Sequence, residues 1–102
     1  MITYDSALHL IQDSLSSLQR AGLMEQEIMV QDDTVLLGSG SPLDSIAFVT
    51  FVTELEDRLN REENQEELFL VLQDIHDFNT ANSNLSVGTL AHYLVKLTEE
   101  KA

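Results

Sequence analysis

The chain has 102 residues, 43% of them apolar, enough for one modest core and a single domain over residues 1–102. It has no cysteine, which excludes a disulfide framework, a thiolate metal site and a cysteine nucleophile; any thiol it uses must be attached to it. Eighteen acidic residues against five basic ones give a formal net charge of -13, which repels nucleic acid and anionic membranes and favours basic protein surfaces as partners.

The start, Met1 to Asp5, has no basic stretch followed by an apolar run, so a cytoplasmic protein is expected. No apolar run is long enough to insert into a bilayer. Leu8, Ile11, Leu15 and Leu18 recur at helical spacing, with Asp13, Ser14, Ser17 and Gln19 on other faces. They predict an amphipathic helix over 5–20, stopped at Gly22. Residues 22–44 form a long connection. Met24, Ile28, Met29, Val35, Leu36 and Leu37 can pin it to a core, and Gly38-Ser39-Gly40-Ser41-Pro42 breaks regular structure. Connections of this length in compact domains tend to be functional when ordered.

A second helix is expected to begin sharply. Asp44 suits the N-cap, Leu43 and Phe48 have the spacing of a hydrophobic staple, and Ser45 is the first helical residue. Ile46, Val49, Val52, Leu55 and Leu59 are read as its buried stripe, with Phe51 adding exposed apolar surface. Glu54, Asp57, Arg58 and Arg61 lie mainly opposite, and the helix ends near 60–63. Residues 62–67 are a solvated acidic run, and 68–72 an apolar connector. A short third helix covers 73–79 with Ile75 and Phe78 inward, followed by a polar, turn-rich stretch over 80–84. Ser86 can cap a last helix with Val87, Leu90, Tyr93, Leu94 and Leu97 inward. No strand pairing is evident. The expected fold is all-α: a small four-helix bundle with a long first loop and a short third helix.

The chemistry centres on Ser45, a hydroxyl at a helix start behind a glycine-rich loop. The unpaired N–H groups of a first helical turn favour a negatively charged group there. Serine is not a nucleophile unaided, and no histidine is near it in sequence, so an attachment point fits better than catalysis. Asp44-Ser45 alone also fits an ordinary cap. His9, His76 and His92 match no metal spacing, and the Asp32-Asp33 loop lacks an EF-hand ligand series.

Leu43-Asp44-Ser45-Ile46, followed by Val49, Val52, Leu55 and Glu56, resembles the phosphopantetheine attachment site of acyl carrier proteins. Asp32-Asp33-Thr34-Val35-Leu36 resembles the acidic segment ahead of that site, and Ser86 to Leu94 resembles the family's final helix. The resemblance implies a non-enzymatic, monomeric, acyl-carrier-like four-helix bundle. It implies a 4'-phosphopantetheine arm, taken from coenzyme A by a phosphopantetheinyl transferase with Mg²⁺ and held covalently on Ser45. Acyl intermediates of fatty acid or polyketide type would ride on the arm's thiol as thioesters. It implies that Asp44 both caps the helix and is recognised by the transferase. It also implies that Asp44, Glu56 and Asp57 dock an acyl-activating enzyme or synthase with a basic surface; Glu56 and Asp57 equally suit a plain solvated helix face.

The family's usual Gly-aliphatic lead into Asp-Ser is Ser-Pro-Leu here, and an acid common one turn into the second helix is Thr50. These departures point to a specialised carrier rather than the housekeeping one. A peptidyl or aryl carrier of an amino-acid-activating system would use the same site. From another class, an unmodified acidic helical adaptor would leave Ser45 bare.

Overall fold

The computed structural model describes residues 2–23, 30–37, 45–62, 70, 72–78 and 84–101, and among these the chain is mostly helical. Three helices are long: α1 (Tyr4–Arg20), α2 (Ser45–Glu62) and, last in the chain, α4 (Val87–Lys101); α3 (Leu72–Phe78) is a short one before it. Helix α1 packs against both α2 and α4, and α3 packs against α4. The Cα radius of gyration, 12.6 Å, is that of a compact chain of this length, for which about 13 Å is expected.

Helix α1 starts where the Thr3 hydroxyl accepts the Ser6 N–H at 3.1 Å. It ends in a Schellman turn. Gly22 takes φ of 84°, its N–H donates to the Gln19 carbonyl (3.1 Å), and the Leu23 N–H donates to the Leu18 carbonyl (3.0 Å). Ala7, Leu10, Ile11, Ser14, Leu15 and Leu18 form the buried face. Leu8, expected inward, is half-buried at the core's edge. Ser14, expected on another face, is fully buried; its hydroxyl donates to the Leu10 carbonyl at 2.8 Å, so a polar group enters the core satisfied.

The rotation of α2 corrects the expected stripe. Ala47, Phe48, Phe51, Val52, Leu55 and Leu59 are buried, with Phe51, Leu55 and Leu59 fully enclosed. Ile46 and Val49 point outward instead, 73% and 51% exposed. Two faces of this helix are apolar in sequence, and the face carrying both phenylalanines is the one that goes inside. Their rings pack at 6.2 Å between centroids, and an aromatic side chain removes more apolar surface from water than an aliphatic one.

A short antiparallel strand pair, β1 (Val35–Leu37) with β2 (Leu85–Ser86), departs from the expectation of no strand pairing. Val35 pairs with Ser86 and Leu37 with Leu85, so Leu36 is an extra residue in a bulge, and its side chain is fully buried. The ladder leads straight into α4. The Ser86 hydroxyl caps it as expected, accepting the Thr89 N–H at 3.2 Å. The Val87 and Gly88 N–H groups donate to the carbonyls of Thr34 (2.8 Å) and Asp32 (2.9 Å). Gly88 is needed at this approach, because a Cβ there would stand 3.0 Å from the Asp32 carbonyl oxygen and 3.4 Å from the Tyr4 hydroxyl.

The same corner holds the start of α1. The Tyr4 hydroxyl donates to the Asp32 carboxylate at 2.7 Å, and the Tyr4 ring lies 4.8 Å from His92. Further along the first connection, the Val30 N–H donates to the Gln12 side chain at 2.9 Å. The Ile2 N–H donates to the buried Thr98 hydroxyl at 3.2 Å, joining the chain's start to the end of α4. In α4, Val87, Leu90, Tyr93 and Leu94 face inward as expected, joined by Ala91 and Thr98, while Leu97 is half-buried. In α3, Ile75 is buried as expected. Phe78 is 39% exposed, with its ring edge-on to Tyr93 at 5.5 Å and the Lys96 ammonium 5.7 Å from its centre. The readings of Met24, Ile28, Met29, Leu43, 63–69 and 79–83 fall outside the described residues.

Three measurements test this packing. In urea denaturation, Phe51→Ala should lose about 3–5 kcal/mol, whereas Ile46→Ala should stay within about 0.5 kcal/mol; the expected inward stripe would demand the reverse order. Gly88→Val should cost about 1–3 kcal/mol and speed hydrogen exchange at the Val87 and Gly88 amides. The hydrogen bond to Asp32 raises the Tyr4 phenol above its ordinary pKa of 10.0, with burial and then the charges of Asp32 and Asp5 adding to it. Because the folded value is the higher one, this contact contributes stability below pH about 10 and loses it as pH rises through the folded pKa. Ultraviolet titration of Asp32→Asn should show Tyr4 ionising at lower pH than in the parent.

Candidate functional site

The backbone of α2 begins at Ser45, as the sequence predicts. Asp44 and the loop over 38–43 lie outside the described residues, so the expected cap is not part of the described geometry. No acidic residue stands in the first turn of α2. From Ser45 to Thr53 the helix carries no charge at all.

The solvent-facing aliphatic side chains that follow Ser45 on α2 are Ile46 and Val49. Ile46 follows the serine directly and Val49 comes one turn later, both exposed. The two threonines of this stretch do not change its character. The Thr50 hydroxyl donates to the Ile46 carbonyl at 2.9 Å and the Thr53 hydroxyl to the Val49 carbonyl at 3.0 Å, spending their protons on the helix backbone. Periodicity missed this patch because Ile46 and Val49 fit a helical stripe as well as the true one does. The signal that could have found it is volume: only the alternative rotation buries Phe48 and Phe51.

The acids of α2 start at Glu54, and those described are engaged within the chain. Glu54 accepts from Arg58 at 3.1 Å and from the Ser17 hydroxyl at 3.5 Å. Asp57 pairs with Arg61 at 2.8 Å, with both side chains well exposed. Glu56 accepts the Leu70 N–H at 2.8 Å and so anchors the backbone beyond the helix, a role sequence reasoning did not foresee. Both Glu56 and Asp57, expected to dock partners, are thus placed on α2 but already bonded. The acidic segment Asp32–Leu36 is likewise structural: Asp32 ties Tyr4 and Gly88, and Thr34 ties Val87.

Among the described residues, no group of three or more His, Asp or Glu side chains could hold a metal ion. His92 is exposed at the surface, its ring tilted by 40° against that of Tyr4. No described helix is long and apolar enough to cross a membrane. Set against known proteins, the chain matches no protein-family model, no curated protein and no solved structure.

Proposed function

We propose that this chain is an acyl carrier protein, modified at Ser45 with 4'-phosphopantetheine and delivering acyl thioesters to partner enzymes. The observation that carries the reading is the start of α2 at Ser45, directly after Leu43-Asp44, with no acid in its first turn. The element order supports it too: α1, a long connection, α2, the short α3 and α4 follow one another in the order that an acyl-carrier-like four-helix bundle would have.

The arm fits the residues present. A phosphodiester on Ser45 carries one negative charge at the positive end of the α2 dipole, where the first-turn N–H groups favour an anion and the first turn itself holds no acid. Ser45 contributes the oxygen of the new ester. It attacks the coenzyme A pyrophosphate at the phosphorus bearing the pantetheine, the transferase's base takes the hydroxyl proton, and 3',5'-ADP leaves with the other phosphate. The bound arm supplies a thiol, which a cysteine-free chain lacks. The chain's own work is to present that arm from a helix start and to keep the cargo at high local concentration for a docked enzyme. The reaction chemistry stays with the partners: the transferase, then an acyl-activating enzyme or synthase. No nucleic-acid or membrane partner suits a net charge of -13.

Intact-mass measurement after incubation with coenzyme A, Mg²⁺ and a broad-range transferase should show one added arm on the parent chain and none on Ser45→Ala. An unmodified parent would favour the acidic-adaptor reading instead. The acid found on the thiol in native material separates an acyl carrier from a peptidyl or aryl one.

A further inference from the structure

We infer that partners grip this carrier beside Ser45 through an uncharged apolar patch, Ile46 and Val49, using an apolar pocket free of carboxylates, and not by ion pairs with the acids of α2; the inference rests on the carrier reading. Three observations lead to it. Ile46 and Val49 are the exposed aliphatic residues of α2, and they sit within one turn of the attachment point. The helix is without charge as far as Thr53, and the hydroxyls of Thr50 and Thr53 donate to the backbone, so that face offers methyl groups. The acids beyond it already have partners: Glu54 has Arg58, Glu56 the Leu70 N–H, and Asp57 has Arg61. A basic partner would have to displace those contacts, and it would gain only the small free energy of an exposed ion pair.

The occupant is a different protein. A second copy would bring another -13 charges to the same contact, and an anionic lipid surface is repelled for the same reason. The net charge still has a part, drawing a basic partner in at long range, while the patch determines how long the complex lasts. A partner complementary to both features has an apolar pocket at the mouth of its arm channel and basic residues farther out.

The transferase that loads Ser45 serves as the probe, with the carrier as varied substrate. Ile46→Ser and Val49→Ser should each raise KM for the carrier about tenfold, the effect of withdrawing one aliphatic side chain from a buried contact. The turnover number and the unfolding temperature should stay unchanged, and Ile46→Leu should restore most of the loss. Glu54→Gln and Asp57→Asn should change KM less than about twofold. Equal or larger losses in the charge variants would overturn the inference while leaving the carrier reading intact, because loading itself would still be seen. Dimerisation of the parent chain that Ile46→Ser abolishes, measured by sedimentation, would also overturn it by assigning the patch to a second copy. A parent chain that gains no arm would overturn the carrier reading and the inference together.

Discussion

The burial of Phe51 governs the rest of this structure. With Phe48, Leu55 and Leu59 it determines which side of α2 meets the core. Helix rotation is a single variable, so every other residue of the helix is placed by that choice. Ile46 and Val49 are turned to solvent by it, although each is as apolar as the residues that go inside. An exposed isoleucine and valine beside a helix start have a cost in water, and they remain there because the competing rotation would expose two phenylalanine rings. The apolar surface next to Ser45 is thus a consequence of core packing as much as a feature of the site.

A second constraint operates at the other end of the sequence. The long first connection could lie anywhere on the surface, but its carbonyls at Asp32 and Thr34 are held by the first-turn N–H groups of α4, and Leu36 is sunk into the core at a bulge. Gly88 permits that approach, and Tyr4 fastens the same corner to α1. The N-terminus of α4 is therefore closed by the chain's own hydroxyl and carbonyl groups. The start of α2, by contrast, opens on a serine with no acid in its first turn. The start of α4 thus holds the chain together, and on the proposed reading the start of α2 would instead receive an added anion.

The strong acidity of the chain reads differently once partners are assigned to individual side chains. As a total, -13 suggests a surface made of docking carboxylates. Taken one at a time, Asp32, Glu54, Glu56 and Asp57 each hold something within the chain: a phenol, a guanidinium, a backbone N–H. Their summed field persists at a distance. Just beyond Ser45 the exposed side chains of α2 are the aliphatic Ile46 and Val49, so on the proposed reading attraction and grip would be divided between different residues.

The sequence by itself determined the helices, the stop at Gly22, the cap at Ser86 and the start of the second long helix at Ser45, because capping and turn formation depend on residues within a few positions of one another. It also determined the absence of a chain thiol and the sign of the field. Only the tertiary structure decided the rotation of α2, the burial of Ser14, the pairing of β1 with β2 and the bond between Glu56 and Leu70. Each of these depends on residues far apart in the chain or on a competition between two faces with the same periodicity. A helical repeat reports that a face is apolar, but which of two apolar faces is buried is settled by the volume and shape of what packs against it.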